Sequence, residues 1–568
     1  MGGAALFVRN MEFPTIPPPG PDDASVLTNQ SDHRSEHIYM GDDPGIVKII
    51  DHTSRGISAP ARIHDILQRS GFFWGIKVPA VRLDHALLNA FIERWRPETN
   101  TFHLRVGEMT ITLKDVAILT GLRIDGDPVI CEDPDNYEQL CAKTLGTVPL
   151  DAKSGKVKLE SLREICEHAE DNECCARSFI LYTIGSRLFP DSTGNKVSLR
   201  WLTLCADLDR CGHFAWGAAV LSYLYGQLSK ATSPSREQCA GFFTLLQIWI
   251  WEYFPALAPV KFMSENALPL DYPYGARWSI GLNFQHQLRS SNVSVYRNEL
   301  DVQHAETVVW KPYKKELIRR LPQICTESKD IWMARVPLIC MDYAEMHLPD
   351  RVMRQFGLIQ HIPENVLRPR RYGRYRPMAS LLRLRETELQ RWAARRTSIV
   401  QQSRGLAHRR EQALQHYISW YWSITRRYVS TPTMPANPSI YTPRGFVETA
   451  MLNFMVNASD LAAIADSDVV LDAVVYRDRL RDIRRYYQQV ISALPFHVIP
   501  DKYHPDPTSL GQVPRRGRRR RQASRLHDDE AGPSTTADDM PDQIEPVSQL
   551  TQLEDRGRRR MRRGTQRT

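Results

Sequence analysis

The residues best suited to acid–base chemistry lie close together in the second half of the chain. The cluster combines three carboxylates with one imidazole: Asp342, Glu345, His347 and Asp350. Such a group could move protons or form an acidic triad of the transposase kind. Pro349 interrupts the stretch, and Asp350 is well placed to cap a helix at 352–356. Helix capping and ion pairing are therefore the favoured roles.

Cysteine and histidine spacing gives one candidate metal site. Cys205, Cys211 and His213 follow a C-x5-C-x-H pattern, and Cys174-Cys175 could complete four ligands. This spacing differs from the common zinc modules, and cysteine is often buried as a small apolar side chain. Core thiols and a hydrogen-bonded histidine are therefore favoured, and we predict no metal or cofactor. The ten cysteines are also too few and too irregular for a disulfide scaffold, so we expect reduced thiols.

Charged residues surround Trp95 and have two interpretations. The group consists of Glu93, Arg94, Arg96 and Glu98. It could form a recognition surface, but the spacing equally suits salt bridges at a helix end over an aromatic anchor. The salt-bridge interpretation is favoured.

A central region is strongly basic. Residues 361–430 contain 15 Arg and no Lys against four Glu, a balance of +11, whereas residues 1–360 carry −5. Tyrosines alternate with arginines at 370–376, a composition suited to phosphate contact and base stacking. The hypothetical nucleic-acid contacts in this region are Arg370, Arg371, Arg374 and Arg376. The alternative is that these arginines neutralise the acidic body of the same molecule.

The last part of the chain contains two further arginine runs, separated by an acidic spacer. Extended basic runs suit nuclear import receptors and also bind phosphates without sequence preference. The residues assigned to this role are Arg515, Arg516, Arg518, Arg519, Arg520, Arg521, Arg558, Arg559 and Arg560. We therefore predict a nuclear protein with an import receptor, nuclear proteins and non-specific nucleic acid as partners. A solvated tail without either role is the alternative.

The elements that position these residues are mostly helical. The chain has 568 residues, 42% hydrophobic and 24% charged, which excludes a collagenous, wholly disordered or multispanning membrane protein. Apolar residues recur at helical spacing at 83–95 and 220–228. Residues 101–112 instead predict a short β-hairpin, followed by a capping box from Thr112 to Asp115 and a helix that stops at Gly121. No segment reaches the ~20 apolar residues of a membrane span.

Composition divides the chain into five parts. We predict a large, mainly α, single helical globular domain with a small β-hairpin element and disordered termini. The parts are a disordered segment at 1–45, the main domain at 46–365, a basic loop and long helix at 366–410, a C-terminal helical part of the same domain at 411–503, and a disordered arginine-rich and acidic tail at 504–568.

Several blocks in this order resemble the plant mobile domain family, which includes the maintenance-of-meristems-like proteins. The blocks are 88–104, 107–129, 214–228, 241–255, 310–313, 336–363 and 416–429. The resemblance implies a nuclear role in meristem upkeep and in silencing of transposable elements. Some members are also labelled aminotransferase-like or long-form relatives of a serine/threonine phosphatase.

The sequence does not support these enzyme labels. It lacks the GDxHG, GDxVDRG and GNHE motifs whose side chains bind two metals in such phosphatases. No lysine lies in a Ser- or Gly-rich phosphate cradle of the kind that pyridoxal phosphate requires, and the common nucleotide-binding motifs are missing. A non-enzymatic interaction or regulatory protein is therefore predicted. The alternatives are a transposon-encoded accessory factor and a cryptic hydrolase that uses the cluster at 342–350.

Overall fold

The computed structural model describes residues 19–50, 57–192, 195–259, 267–282, 291–301, 305–365, 380–401 and 407–430, together with a few isolated positions. The chain divides into two units, Met1–Tyr441 and Thr442–Thr568, and the second contains only two described residues.

The first unit is mainly α-helical, as the sequence periodicity predicts. Most helices bury an apolar face in one shared core. In chain order the helices are α1 (Arg34–Met40), α2 (His64–Arg69), α3 (His85–Ile92), α4 (Leu113–Thr120), α5 (Tyr137–Leu145), α6 (Leu159–His168), α7 (Asn172–Thr183), α8 (Arg200–Cys205), α9 (Leu208–Cys211), α10 (Trp216–Ala231), α11 (Phe243–Tyr253), α12 (Val293–Asp301), α13 (Lys315–Arg320), α14 (Leu381–Leu384), α15 (Glu386–Ala393) and α16 (Ala407–Ile424). Stretches of 3-10 helix connect several of them, including Pro349–Phe356, called the 349–356 turn below.

Short strands form small separate sheets between the helices. The strands are β1 (Lys48–Ile50), β2 (Trp95–Arg96), β3 (Thr101–Leu104), β4 (Gly107–Met109), β5 (Lys156–Lys158), β6 (Lys196–Ser198), β7 (Gln238–Ala240), β8 (Val336–Cys340) and β9 (Tyr343–His347). Strand β1 pairs in parallel with β7, whereas β2–β3–β4, β5–β6 and β8–β9 are antiparallel.

Helix α10 lies at the centre of the core, and nearly all of its side chains are buried. Gly226 on this helix lies against the ring of Tyr343 in β9, where any Cβ atom would collide with the ring. Helix α11 is wholly buried, and Trp249 on it stacks on Phe102 of β3 with ring centroids 5.6 Å apart. The hairpin β3–β4 therefore shares one core with α10 and α11.

The local signals around the hairpin are confirmed. Thr112 accepts a hydrogen bond from the backbone N–H of Asp115, and the Asp115 carboxylate accepts one from the N–H of Thr112. The helix then ends at Gly121 in the left-handed conformation, with φ of 63°. The capping box and the end of the helix lie within ten residues of each other. The local sequence is therefore sufficient to indicate both.

The predicted disorder of the amino-terminal segment is wrong for residues 19–45. Leu27 and Ile38 are buried, and Arg34 is only 1% exposed. The Arg34 guanidinium donates to the backbone oxygens of Gly45 and Arg236 at 2.5 and 2.9 Å. A segment of polar composition is thus held by hydrogen bonds to distant backbone, a contribution that composition cannot show.

The single long helix predicted within 366–410 is also wrong. Helices α14 and α15 are separated at Arg385, which has non-helical backbone angles and is fully buried. Its Nη2 donates to the backbone oxygen of Asp342 at 2.5 Å, and Trp392 Nε1 donates to Gly126 O at 3.0 Å. These two anchors hold the segment on the core, where a straight helix would project from it.

Candidate functional sites

Both ring nitrogens of His347, the histidine of the acidic cluster, form hydrogen bonds with the backbone. It is completely buried in β9, with Nδ1 2.7 Å from Ala334 O and Nε2 3.3 Å from the backbone nitrogen of Leu113. This geometry assigns the proton to Nδ1, so Nε2 accepts from Leu113. Burial lowers the pKa of His347 to about 4. The ring is therefore neutral, and both of its nitrogens are already engaged.

The three carboxylates of the cluster contact different partners. Glu345 accepts from Asn100 Nδ2 at 3.3 Å, and Asp342 lies 3.9 Å from Arg200 Nη1. Asp350 lies 3.8 Å from Arg335 Nε, and burial raises the pKa of its carboxyl group. The arrangement therefore does not converge on one reacting position.

The capping role expected of Asp350 is wrong. The 349–356 turn has Leu348 at its N-cap position and no side-chain cap. The Asp350 carboxylate accepts no hydrogen bond from the described residues. The expected ion pairing is present, and Arg335 also pairs with Glu364 at 2.9 Å.

The cysteines proposed as ligands lie in separate places. Cys205 and Cys211 are buried with their sulfurs 3.8 Å apart, whereas His213 is exposed. Cys175 instead lies 2.9 Å from the sulfur of Cys166. All ten cysteines are free. In the part of the chain that the structure describes, no group of three or more His, Cys, Asp or Glu side chains could hold a metal ion.

Two of the charged residues around Trp95, Glu93 and Arg94, form buried salt bridges, as the favoured interpretation predicts. Glu93 accepts two hydrogen bonds of 2.7 Å from Arg297. Arg94 donates to Asp301 at 2.6 Å. Arg96 is 1% exposed, so this region is not an open recognition surface.

A buried polar network surrounds Glu108, and it was not predicted from the sequence. Glu108 accepts from Arg351 Nη1 at 2.7 Å and from the Tyr417 hydroxyl at 3.3 Å. Burial alone would raise the pKa of Glu108, but Arg351 and His103 together outweigh it and hold the pKa at about 2. Burial lowers the pKa of His103, whose Nε2 lies 3.4 Å from Glu108 Oε1. The network joins β3–β4, the 349–356 turn and α16, residues up to 309 positions apart.

A second polar centre is the carboxylate of Asp115. Its Oδ2 accepts from the backbone and hydroxyl of Thr112 at 2.8 and 2.6 Å. Its Oδ1 accepts from the hydroxyls of Tyr253 and Tyr313 at 2.8 and 2.9 Å. Four donors therefore satisfy a fully buried carboxylate, and they tie α4 to α11 and to the loop before α13.

An open cavity of about 440 Å³ lies elsewhere, between the segment at 29–33 and the end of α10. Its wall is polar and includes Asn29, Asp32, Glu98, Ser233 and Arg236. None of the cluster at 342–350 and none of the candidate cysteines lines it. The acid–base candidates and this cavity are therefore separate features.

The arginines assigned to nucleic-acid or import contacts lie outside the described residues. They are Arg370, Arg371, Arg374, Arg376, Arg515, Arg516, Arg518, Arg519, Arg520, Arg521, Arg558, Arg559 and Arg560. The predicted continuation of the domain from 431 to 503 and the tail at 504–568 also lie outside them, apart from two isolated positions.

The fold defines a mainly α-helical domain in which most of the family blocks share the main core with α10 and α11, whereas the block at 416–429 forms a smaller separate cluster. The chain belongs to the plant mobile domain family, whose model matches residues 71–422. The resemblance stated from the sequence is thereby confirmed. Among the described residues, no helix has the length and apolar character needed to cross a membrane.

Three relatives from Arabidopsis thaliana illustrate the similarity. Protein MAIN-LIKE 2 is 35% identical over 459 residues, covering 78% of this chain and 67% of the relative. Protein MAINTENANCE OF MERISTEMS is 32% identical over 449 residues, covering 77% and 89%. The serine/threonine-protein phosphatase 7 long form homolog is 34% identical over 491 residues, and the match spans 82% of this chain but only 36% of that protein. No solved structure matches the chain.

Proposed function

We propose that this chain is a non-enzymatic binding module that acts in the nucleus, in the type of role for which its meristem-maintenance relatives are named. The module would bring nuclear proteins together and contribute to the silencing of transposable elements. Its arginine-rich segments at 370–376, 515–521 and 556–563 would contact an import receptor and the phosphates of nucleic acid.

The observation that carries the non-enzymatic part is the state of His347. A general base needs a free ring nitrogen at the surface of a cavity, within reach of a substrate. Both nitrogens of His347 are instead engaged with backbone groups, and the side chain is completely buried. The carboxylates beside it contact separate partners, through ion pairs and one hydrogen bond.

Affinity capture from nuclei tests the proposal. The tagged full chain is isolated with and without nuclease treatment, and the recovered proteins are identified. We expect a reproducible set of nuclear proteins, part of which is retained after nuclease treatment. Recovery of no nuclear partner under either condition contradicts the proposal.

The nucleic-acid part requires a separate comparison. The matched variant combines Arg370→Glu, Arg371→Glu and Arg374→Glu in the full chain. If this segment contacts phosphates, binding weakens and becomes less sensitive to salt, because fewer counterions are released. Identical salt-dependent binding by both proteins would assign these arginines to neutralisation of the acidic body.

A further inference from the structure

Three cationic side chains from distant parts of the chain lie together beside aromatic rings. Lys114 lies in the first turn of α4, Lys311 in the loop before α13, and Arg354 in the 349–356 turn. We call these three residues the cation surface. Each belongs to a different sequence block that carries the family resemblance.

The contacts within the cation surface are close. The Arg354 guanidinium carbon lies 3.5 Å from the ring centroid of Trp310. Lys114 Nζ lies 5.5 Å from the ring centroid of Phe356 and 5.3 Å from that of Tyr313. The Lys311 side chain lies against Gly357, with Nζ 3.2 Å from the position that a Cβ atom would occupy. Cations and aromatic faces therefore alternate over a small area.

These cations lack a matching carboxylate. In the described residues none of the three forms an ion pair with Asp or Glu. Lys114 is only 8% exposed, and its ammonium donates one long hydrogen bond, 3.4 Å to Gln355 O. Arg354 donates to Val106 O at 2.6 Å. A buried cation without a counter-ion is costly, so the arrangement favours an external anion.

The electrostatic effect on these groups agrees with this arrangement. Burial lowers the pKa of Lys114, the negative charge of Asp115 acts in the opposite direction, and the positive charge of Lys311 makes a smaller lowering contribution. Burial also lowers the pKa of Arg354 to about 10. Lys311 is thus close enough for its charge to act on Lys114.

Asp115 is adjacent to Lys114 in the chain but does not neutralise it by direct pairing. Its two oxygens accept the four hydrogen bonds described above. Burial raises the pKa of Asp115, although Lys114 acts in the opposite direction. The Asp115 carboxylate is hydrogen-bonded within the core, whereas the ammonium of Lys114 lies beside the rings of Tyr313 and Phe356.

Further cations extend the surface in one direction. Residues 311–320 contain five Lys or Arg and a single acid, Glu316. Lys314, Lys315 and Arg319 are exposed on and beside α13. A row of cations fits a polymer with a phosphate at every unit better than it fits one isolated anion. Half-buried aromatic rings beside the cations suit unpaired bases, which stack on such rings.

We propose that Lys114, Lys311 and Arg354 bind the phosphate backbone of a single-stranded nucleic acid, with Trp310 and Phe356 beside its bases. This inference deepens the proposed nuclear binding function, but its residues are separate from the arginines at 370–376. The two residue types contribute differently to binding. The guanidinium is planar and stacks on an aromatic ring, whereas the ammonium groups act as point charges.

Binding of a labelled single-stranded RNA 20-mer of mixed sequence to the full chain tests the inference. Fluorescence anisotropy is measured over a series of salt concentrations for the wild type and for Lys311→Glu/Lys314→Glu. The control is Lys143→Glu/Lys158→Glu, which makes the same charge change at two exposed lysines elsewhere. We expect affinity to fall about tenfold more in the surface variant than in the control, with a shallower salt dependence.

Three further measurements keep the test decisive. Lys311→Arg should retain binding, and thermal unfolding should show that all variants are folded. Ultraviolet crosslinking of the wild type, followed by peptide mass spectrometry, should locate RNA at 308–320 and 351–357. Equal affinity loss in the surface and control variants, or crosslinks confined to other segments, overturns the inference.

The outcomes also separate this inference from the proposed function. If Arg370→Glu/Arg371→Glu/Arg374→Glu abolishes binding while the cation surface variant binds as the control does, the inference fails and the proposed arginine contact stands. If a phosphoserine peptide binds through the cation surface and RNA does not, the ligand class is overturned. If no RNA binds to any protein, the inference fails, and nuclear capture still tests the binding module.

Discussion

The Tyr313 hydroxyl donates a hydrogen bond of 2.9 Å to the carboxylate of Asp115, which lies 198 residues earlier in the chain. The same tyrosine ring lies 5.3 Å from the ammonium of Lys114. Tyr313 therefore belongs both to a saturated buried centre and to the cation surface. The neighbouring residues Lys114 and Asp115 therefore lie in different environments: Asp115 accepts hydrogen bonds in the core, and Lys114 lies beside aromatic rings of the cation surface.

Removal of the Asp115 carboxylate should destabilise the domain strongly. Asp115→Ala leaves the two tyrosine hydroxyls and the Thr112 donors without their acceptor, so we expect a loss of about 3 kcal/mol or more in the free energy of unfolding. Tyr313→Phe removes one of four donors and should cost about 1 kcal/mol. Urea denaturation measures both, with the half-exposed Tyr272→Phe as control. A loss for Asp115→Ala no larger than that for Tyr272→Phe contradicts this account.

Stability should fall with acid partly through His347. Its folded pKa of about 4 is below the ordinary value of 6.5, so the folded state keeps the ring neutral while the unfolded chain takes up a proton. This contribution is complete above pH 6.5 and is lost as the pH falls towards 4, by about 3 kcal/mol in total.

The matched variant is His347→Gln, which retains a donor and an acceptor without a titrating ring. Other buried histidines titrate in both proteins, so the relevant quantity is the difference between the two curves of unfolding free energy against pH. We expect the variant to show the shallower slope between pH 6.5 and 4. Parallel curves would show that His347 does not contribute.

The purified full chain should have no specific turnover of phosphomonoesters or amino donors. The reason is that the residues of the cluster at 342–350 contact separate partners and His347 has no free nitrogen. Activity is measured against Asp350→Asn, with thermal unfolding as the folding control. Activity that copurifies with the wild type and disappears in a folded Asp350→Asn variant would refute the non-enzymatic proposal.

Replacement of the arginines at 515–521 and 556–563 by glutamine should reduce nuclear accumulation of the full chain. Import receptors read extended basic side chains, and this change removes them while leaving the described fold untouched. The measurement is the ratio of nuclear to cytoplasmic fluorescence of a tagged protein. The control replaces the same number of exposed polar residues, and equal ratios would assign no import role to the runs.

The sequence by itself determined the local elements and the family. The hairpin before α4, the capping box of Thr112 and Asp115 and the stop at Gly121 each depend on contacts within a few residues, so residue order is sufficient to indicate them. The salt-bridge interpretation around Trp95 also followed from helical spacing, although the partners Arg297 and Asp301 did not.

Only the tertiary structure decided the contacts that depend on distant residues. Arg34 is held by backbone more than 190 positions away, and Arg385 leaves helical geometry to bind Asp342 O. The cation surface likewise joins blocks that are separated in the chain and brought together by the core. Local composition does not indicate whether a side chain is buried or which residue it contacts. Both depend on which segments of the chain pack against each other.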